Sequence, residues 1–217
     1  MIASPAVRVK SQRGLDFDSG NGNLDVMRKL AHEEIGLHRI PPEQAQRVIR
    51  VPLVVVLDSV RSLYNVGSIF RTADGAMIEK LVLGGFSPHP PRKEIDKTAL
   101  GATQTVPWEY VKSPAEAVRS WKSRGYQAVC LELTDRSVPY YEVQASDFPM
   151  CLVIGNEITG VSADALRECD RALEIPMYGM KQSLNVSVAF GIAVYELGRI
   201  WRQARRSPLG GQSNTRV

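Results

Sequence analysis

The run Leu53-Val54-Val55-Val56-Leu57, followed at once by Asp58-Ser59-Val60-Arg61-Ser62-Leu63-Tyr64-Asn65-Val66-Gly67, decides the fold class of this chain. Five consecutive apolar residues, three of them β-branched, lack the alternation of a half-solvated strand. Such a run fills a strand of a parallel sheet covered on both faces. Strand-like runs recur at 80–84, 105–110, 127–133, 150–154 and 171–175, and helical stretches alternate with them at 66–78, 114–124, 162–168 and 186–204. Segment 87–104 is proline-rich and then short-helical. The alternation predicts an α/β fold with a mostly parallel sheet and helices on both faces. In such sheets ligands lie at the carboxyl ends of the strands, so the loops after strands are where chemistry should be sought.

Outward from this body, residues 1–50 read as an N-terminal extension with one or two helices, and 199–217 as a basic tail, leaving 51–198 as one domain. Residues 1–23 are polar and predict a flexible segment. Leu24, Met27, Leu30, Ala31, Glu34, Ile35 and Leu37 are spaced for an amphipathic helix over 24–38, and 43–50 reads as a second short helix or linker. His32 and His38 lie six apart, which excludes the spacing of an HExxH zinc helix, and both read as surface histidines. The 217 residues, 44% hydrophobic and 23% charged, suit one globular core. No apolar run is long enough to span a bilayer, and no signal-peptide core opens the chain. Cys130, Cys151 and Cys169 match no metal spacing and are odd in number, so no metal is expected and a reducing cytoplasm fits. Charge is uneven: the net is +2 over 1–50, −3 over 51–198, and +5 over 199–217, where five arginines face no acid. Basic ends around a slightly acidic body point to a polyanionic partner held through phosphate contacts.

Three loops after strands carry the candidate chemistry. In the first, Asn65 is placed as a helix N-cap, and Gly67 lets another backbone approach the first turn. Arg71 follows six residues on, about 240° around the helix, so it points away from Asn65 toward an anion or partner. The second, Leu152-Val153-Ile154-Gly155-Asn156-Glu157-Ile158-Thr159-Gly160, displays a carboxylate between two glycines. It is neither GxGxxG nor a phosphate loop, which argues against a nicotinamide-dependent oxidoreductase. The third runs Ile175-Pro176-Met177 through Ser183-Leu184-Asn185-Val186-Ser187-Val188-Ala189. Its polar side chains need partners at a helix start, and Ile175, Met177 and Leu184 could line a slot for a flat ring.

Together, Asn65-Val66-Gly67…Arg71-Thr72-Ala73, Gly155-Asn156-Glu157…Gly160 and Ile175-Pro176-Met177…Ser183-Leu184-Asn185-Val186-Ser187-Val188-Ala189 resemble the TrmH (SpoU) branch of the SPOUT methyltransferases, over roughly residues 51–198. The resemblance implies a C-terminal segment threaded into a deep trefoil knot, which general topology rules would not suggest. It implies S-adenosylmethionine held by Leu131, Leu133, Gly155, Ile175, Met177 and Leu184. The implied reaction is methyl transfer to a ribose 2′-hydroxyl of tRNA or rRNA. Arg71 would bind the adjoining phosphate and stabilise the developing alkoxide, while Asn65, Glu157, Ser183 and Asn185 orient the site. A homodimer is implied, with the face of the last helix bearing Val188, Ile192, Tyr195 and Trp201 as its surface. RNA contacts are expected from Arg61, Arg71, Arg92, Lys93 and Arg202, the last on a basic stripe with Arg199, Arg205 and Arg206. A non-catalytic RNA-binding protein of the same fold, or a base-methylating relative, would carry many of the same features.

Overall fold

The computed structural model describes residues 27–36 and 48–206. The chain divides into two compact units, residues 1–40 and 41–217. Among the described residues of the first, α1 (His32–Gly36) is helical and 27–31 are not, whereas the spacing predicts one helix over 24–38. Residues 27–31 are irregular because Glu34 folds back over them. Its carboxylate accepts the Ala31 N–H at 2.8 Å and pairs with both terminal nitrogens of Arg28, which fixes the helix start at His32. The expected flexible segment 1–23, the remainder of the first predicted helix, His38, residues 43–47 and the tail beyond Arg206 lie outside the described residues, as does the His32 side chain. Residues 48–50 are not helical.

The second unit runs β1 (Val51–Asp58), α2 (Leu63–Ala76), β2 (Ile78–Gly84), α3 (Lys93–Ala99), α4 (Ala102–Thr105), β3 (Trp108–Val111), α5 (Pro114–Ser123), β4 (Gln127–Leu131), β5 (Val138–Pro139), β6 (Met150–Ile154), α6 (Ala163–Glu168), β7 (Arg171–Glu174) and α7 (Val186–Arg206). The seven strands form one parallel sheet in the order β3-β2-β1-β6-β4-β7-β5. The unbroken apolar run of β1 is explained by this position. Leu53, Val55 and Leu57 face a core shared with Ile69 and Phe70 of α2, Ile95 of α3 and Phe190 and Val194 of α7, while Val54 and Val56 face Val118 and Trp121 of α5 and Ala165 of α6. Alternate side chains of one strand therefore serve both layers.

Serines set three helix starts: the hydroxyls of Ser62, Ser113 and Ser162 accept the N–H of Asn65, Glu116 and Ala165. Asn65 thus lies inside the first turn of α2 and is not its cap, which frees its side chain. The region expected as strand 105–110 ends α4 before β3 begins at Trp108, and 127–133 leaves the sheet at Leu131. The two-residue β5 carries no periodicity and was not expected. The last helix continues to Arg206, so the 198/199 boundary between body and tail falls within a continuous helix. Among the described residues no helix is long and apolar enough to cross a membrane.

Candidate active site

The carboxyl ends of β4, β6 and β7 open into a cleft of about 850 Å³, closed on the far side by the loop into α7. Its wall contains Leu131, Leu133, Gly155, Ile175, Met177 and Leu184, the six residues expected around a cofactor, together with Glu157, Ser183 and Asn185. Apolar side chains alternate there with main-chain groups of irregular loops. Glu132, Glu157 and Glu174 supply carboxylates against the single cation Lys181.

One line of hydrogen bonds ties the three sequence stretches together at the mouth of this cleft. The Glu157 carboxylate accepts the N–H of Arg61 (3.0 Å) and Ser62 (3.2 Å) and the side-chain amide of Asn65 (2.9 Å). A carboxylate only accepts, so the Asn65 amide nitrogen must face it and the Asn65 oxygen faces the other way. That oxygen accepts from the Asn185 amide at 3.2 Å, and the Asn185 oxygen accepts from the Ser187 N–H (2.9 Å) and hydroxyl (2.6 Å). Partial burial pushes the Glu157 carboxyl up, but the Arg61 N–H, the Asn65 amide and the Ser62 N–H outweigh it and hold the pKa below the ordinary carboxylate value. The polarity of the whole line is set at its ionised end.

The glycine-flanked turn is built for backbone contact. A Cβ on Gly155 would lie 2.2 Å from both the Gly160 carbonyl carbon and the Val161 nitrogen, so the chain crosses itself there without side-chain room. Asn156, buried, locks the turn from within: its oxygen accepts the N–H of Ile158 (2.8 Å) and Thr159 (3.1 Å), and its amide donates to the Ser59 carbonyl at 2.7 Å. Glu132 pins the far side by accepting the Val161 N–H at 2.9 Å.

The remaining expected residues are placed apart from this line. Ser183 is exposed on the cleft wall and makes no hydrogen bond among the described residues. Arg71 opens on a separate hollow with Ser68, Thr72, Lys97, Thr98 and Tyr195, where its exposed guanidinium has no ion pair among the described residues. Arg61 is exposed at the rim; Arg92 and Lys93 are exposed at the start of α3, away from the cleft lining. Of the arginines expected on the basic stripe, three make contacts within the chain. Arg202 turns inward and donates to the Ala76 carbonyl, an open acceptor at the end of α2. Arg199 pairs with Glu196, and Arg205 lies over the Trp201 ring. Glu132 and Asn156 had no role expected from the sequence, and Ser187 only that of a polar side chain needing a partner at a helix start. Asn156 stands inside a quoted motif, so its position was available; Glu132 sits in a strand end with nothing local to mark it.

Comparison with known proteins agrees on one grouping. The sequence profile described as "SpoU rRNA Methylase family" matches residues 52–195. A tRNA (guanosine(18)-2′-O)-methyltransferase of Aquifex aeolicus is 38% identical over 148 residues, covering 68% of this chain and 69% of that protein. The chain spans less of other curated relatives, 58% and 63% of two of them. The crystal structure of the Aquifex aeolicus TrmH/SpoU tRNA modifying enzyme superposes with a TM-score of 0.66 at 34% identity, covering 75% of this chain and 84% of that one. An AdoMet-bound rRNA methyltransferase from Sinorhizobium meliloti superposes with a TM-score of 0.64 at 29% identity, covering 71% and 59%.

Proposed function

Because the chain belongs to the SpoU rRNA methylase family, we propose that it transfers a methyl group from S-adenosylmethionine to a ribose 2′-hydroxyl of tRNA or rRNA. The observation that carries this reading is the Glu157–Asn65–Asn185–Ser187 line, which draws all three motif stretches to one cleft mouth. The cleft suits that cofactor by its chemistry. Leu131, Leu133, Ile175, Met177 and Leu184 offer apolar walls for a ring and an aliphatic stem, and Glu132 and Glu174 offer negative charge to a cation. Its volume lies within the range of roughly 300–1,000 Å³ usual for small-molecule sites. When bound, S-adenosylmethionine supplies an electrophilic methyl carbon on a positively charged sulfur.

What the chain adds is placement and charge stabilisation. Glu157 holds the β1–α2 loop through two N–H groups, and Asn65 and Asn185 carry that constraint to the start of α7. Ser183 stands on the cleft wall with its hydroxyl open to a sugar or cofactor group. A guanidinium is a poor base, so the role of Arg71 is to bind and to stabilise charge. Its planar fork suits the phosphate beside the target ribose, where it would stabilise the developing alkoxide while that phosphate takes the hydroxyl proton; the S–CH3 bond breaks as the O–CH3 bond forms, leaving S-adenosylhomocysteine. Arg61, Arg92 and Lys93 extend phosphate binding along the rim.

The finer features follow the same reading. The position of β7 between β4 and β5, with the chain then running on through the cleft loop into α7, supports a trefoil knot at the C-terminal end. The exposed Val188–Ile192–Tyr195 face of α7 supports a homodimer, which would put the Arg71 hollow at the subunit boundary because Tyr195 belongs to both. Residues 51–198 act as the methyltransferase body with no bound metal, and the free cysteines suit the cytoplasm. Calorimetry with S-adenosylmethionine at low salt tests the cofactor, and labelled methyl transfer to tRNA and rRNA, digested to nucleosides, tests the reaction. The expected products are 2′-O-methyl nucleosides; absence of binding heat, or label found only on bases, overturns the reading.

A further inference from the structure

The loop between β2 and α3 and the edge strand β3 build an aromatic surface that the cleft does not use. The His89 ring lies 4.9 Å from the Tyr110 ring and 6.2 Å from Trp108, nearly parallel to the latter. Trp108 is anchored from below, edge-on to Phe70 at 6.3 Å. Phe86 stands 80% exposed, and Tyr110 42% exposed. The loop is held in this shape from its root. Ser87 is buried and donates to the Leu57 carbonyl at 3.1 Å, Tyr110 donates its hydroxyl to the Gly85 carbonyl at 3.0 Å, and the Phe86 N–H donates to the Ser59 hydroxyl at 3.4 Å. Ser87 points in, so its neighbour Phe86 is carried outward on a tethered backbone.

Charge and position identify what such a surface takes. Arg92 and Lys93 follow the loop, and Lys112 follows β3 two residues after Tyr110. All three are exposed, with no ion pair among the described residues. Glu109 of the same strand is paired with Lys80. Aromatic rings among unpaired cations fit an unpaired base and its flanking phosphates, since every base has a face that stacks. The surface adjoins the cleft through a single residue: Ser59 accepts the Phe86 N–H on its hydroxyl and the Asn156 amide on its carbonyl.

We propose that Phe86, His89 and Tyr110 form a stacking platform for an unpaired base of the RNA substrate, with Arg92, Lys93 and Lys112 holding the phosphates beside it. This rests on the reading of the protein as an RNA methyltransferase and says where, outside the cleft, its RNA is gripped. The test is fluorescence anisotropy of the full chain with a labelled single-stranded 12-mer of adenosine and an abasic ribose-phosphate 12-mer. The wild type binds the adenosine 12-mer more tightly than the abasic one. Phe86→Ala and the double variant Phe86→Ala/His89→Ala weaken the adenosine 12-mer by about five- to a hundredfold and leave the abasic 12-mer unchanged. Arg92→Ala/Lys93→Ala weakens both. Equal wild-type affinity for the two probes, or unchanged binding of the adenosine 12-mer by Phe86→Ala, overturns the platform. So does an altered sedimentation coefficient of Phe86→Ala with unchanged RNA binding, which would give the surface to a second copy. Calorimetry with S-adenosylmethionine on the same variants separates the two readings: loss of base-dependent binding with cofactor heat retained is expected, whereas absent heat in the wild type strikes the enzymatic assignment alone.

Discussion

Glu157 is the ionised end from which the orientation of Asn65, Asn185 and Ser187 follows, so its substitution tests the line as a unit. Glu157→Gln places an amide nitrogen against one of three donors. With bonds to a charged acceptor contributing about 1.5–3 kcal/mol, less at an exposed site, turnover should fall roughly tenfold or more. The pH dependence has a definite sign. The carboxyl is held below its ordinary value in the folded chain, so its contribution is full above about pH 4.5 and is lost as pH falls through the lowered value. The melting-temperature gap between wild type and Glu157→Gln should therefore be constant from neutral pH down to the ordinary carboxylate range and shrink as pH falls below it. Arg71→Lys keeps the charge but loses the planar fork, and turnover should drop by roughly a hundredfold with cofactor affinity unchanged, because Arg71 lies off the cleft wall. Glu157 was legible because it follows the end of a buried strand, and Asn185 because it interrupts an apolar run at a helix start. The capping role expected of Asn65 went instead to Ser62, since an uncapped N–H donates to whichever oxygen the backbone path presents.

At the scale of elements, close backbone approach was readable in kind. Gly67 was expected to admit another backbone, and α3 supplies it: a Cβ there would lie 2.4 Å from the Ile95 carbonyl oxygen. At Gly155 the neighbour is the chain's own return at Gly160 and Val161, the tight bend that two glycines around Glu157 lead one to expect. Gly155→Ala must displace backbone, not a flexible side chain. The cost should be about 1–3 kcal/mol, a fall of about 3–10 °C in melting temperature, with cofactor binding weakened because the displaced segment is cleft wall. A circular-dichroism melt and a calorimetric titration on the same sample check both. The long strands and helices were legible from periodicity, while β5, at two residues, is too short to show a repeat and pairs only with β7.

At the scale of the whole molecule, the parallel class followed from β1, but the strand order did not, because every buried run looks alike until packing assigns its neighbours. Assembly is where this matters next. The buried residues of α7, Val186, Phe190, Ala193, Val194 and Leu197, face the sheet, yet Val188 and Tyr195 on the other side are 50% and 54% exposed, with Ile192 half-buried between them. An apolar stripe on an ordered helix beside the Arg71 hollow is what a second copy would cover. Val188→Glu isolates that role, because an acid in the first turn of a helix is favoured by the free N–H groups there and should leave α7 formed. Sedimentation should show a dimer for the wild type and a monomer for Val188→Glu, with unchanged far-ultraviolet dichroism. If the Arg71 hollow works at the boundary between two copies, methyl transfer should be lost with the dimer and should recover partly as enzyme concentration rises, by mass action. A monomeric variant that keeps full turnover at every concentration would place Arg71 and its cleft within one chain, and the dimer would then have no part in the chemistry.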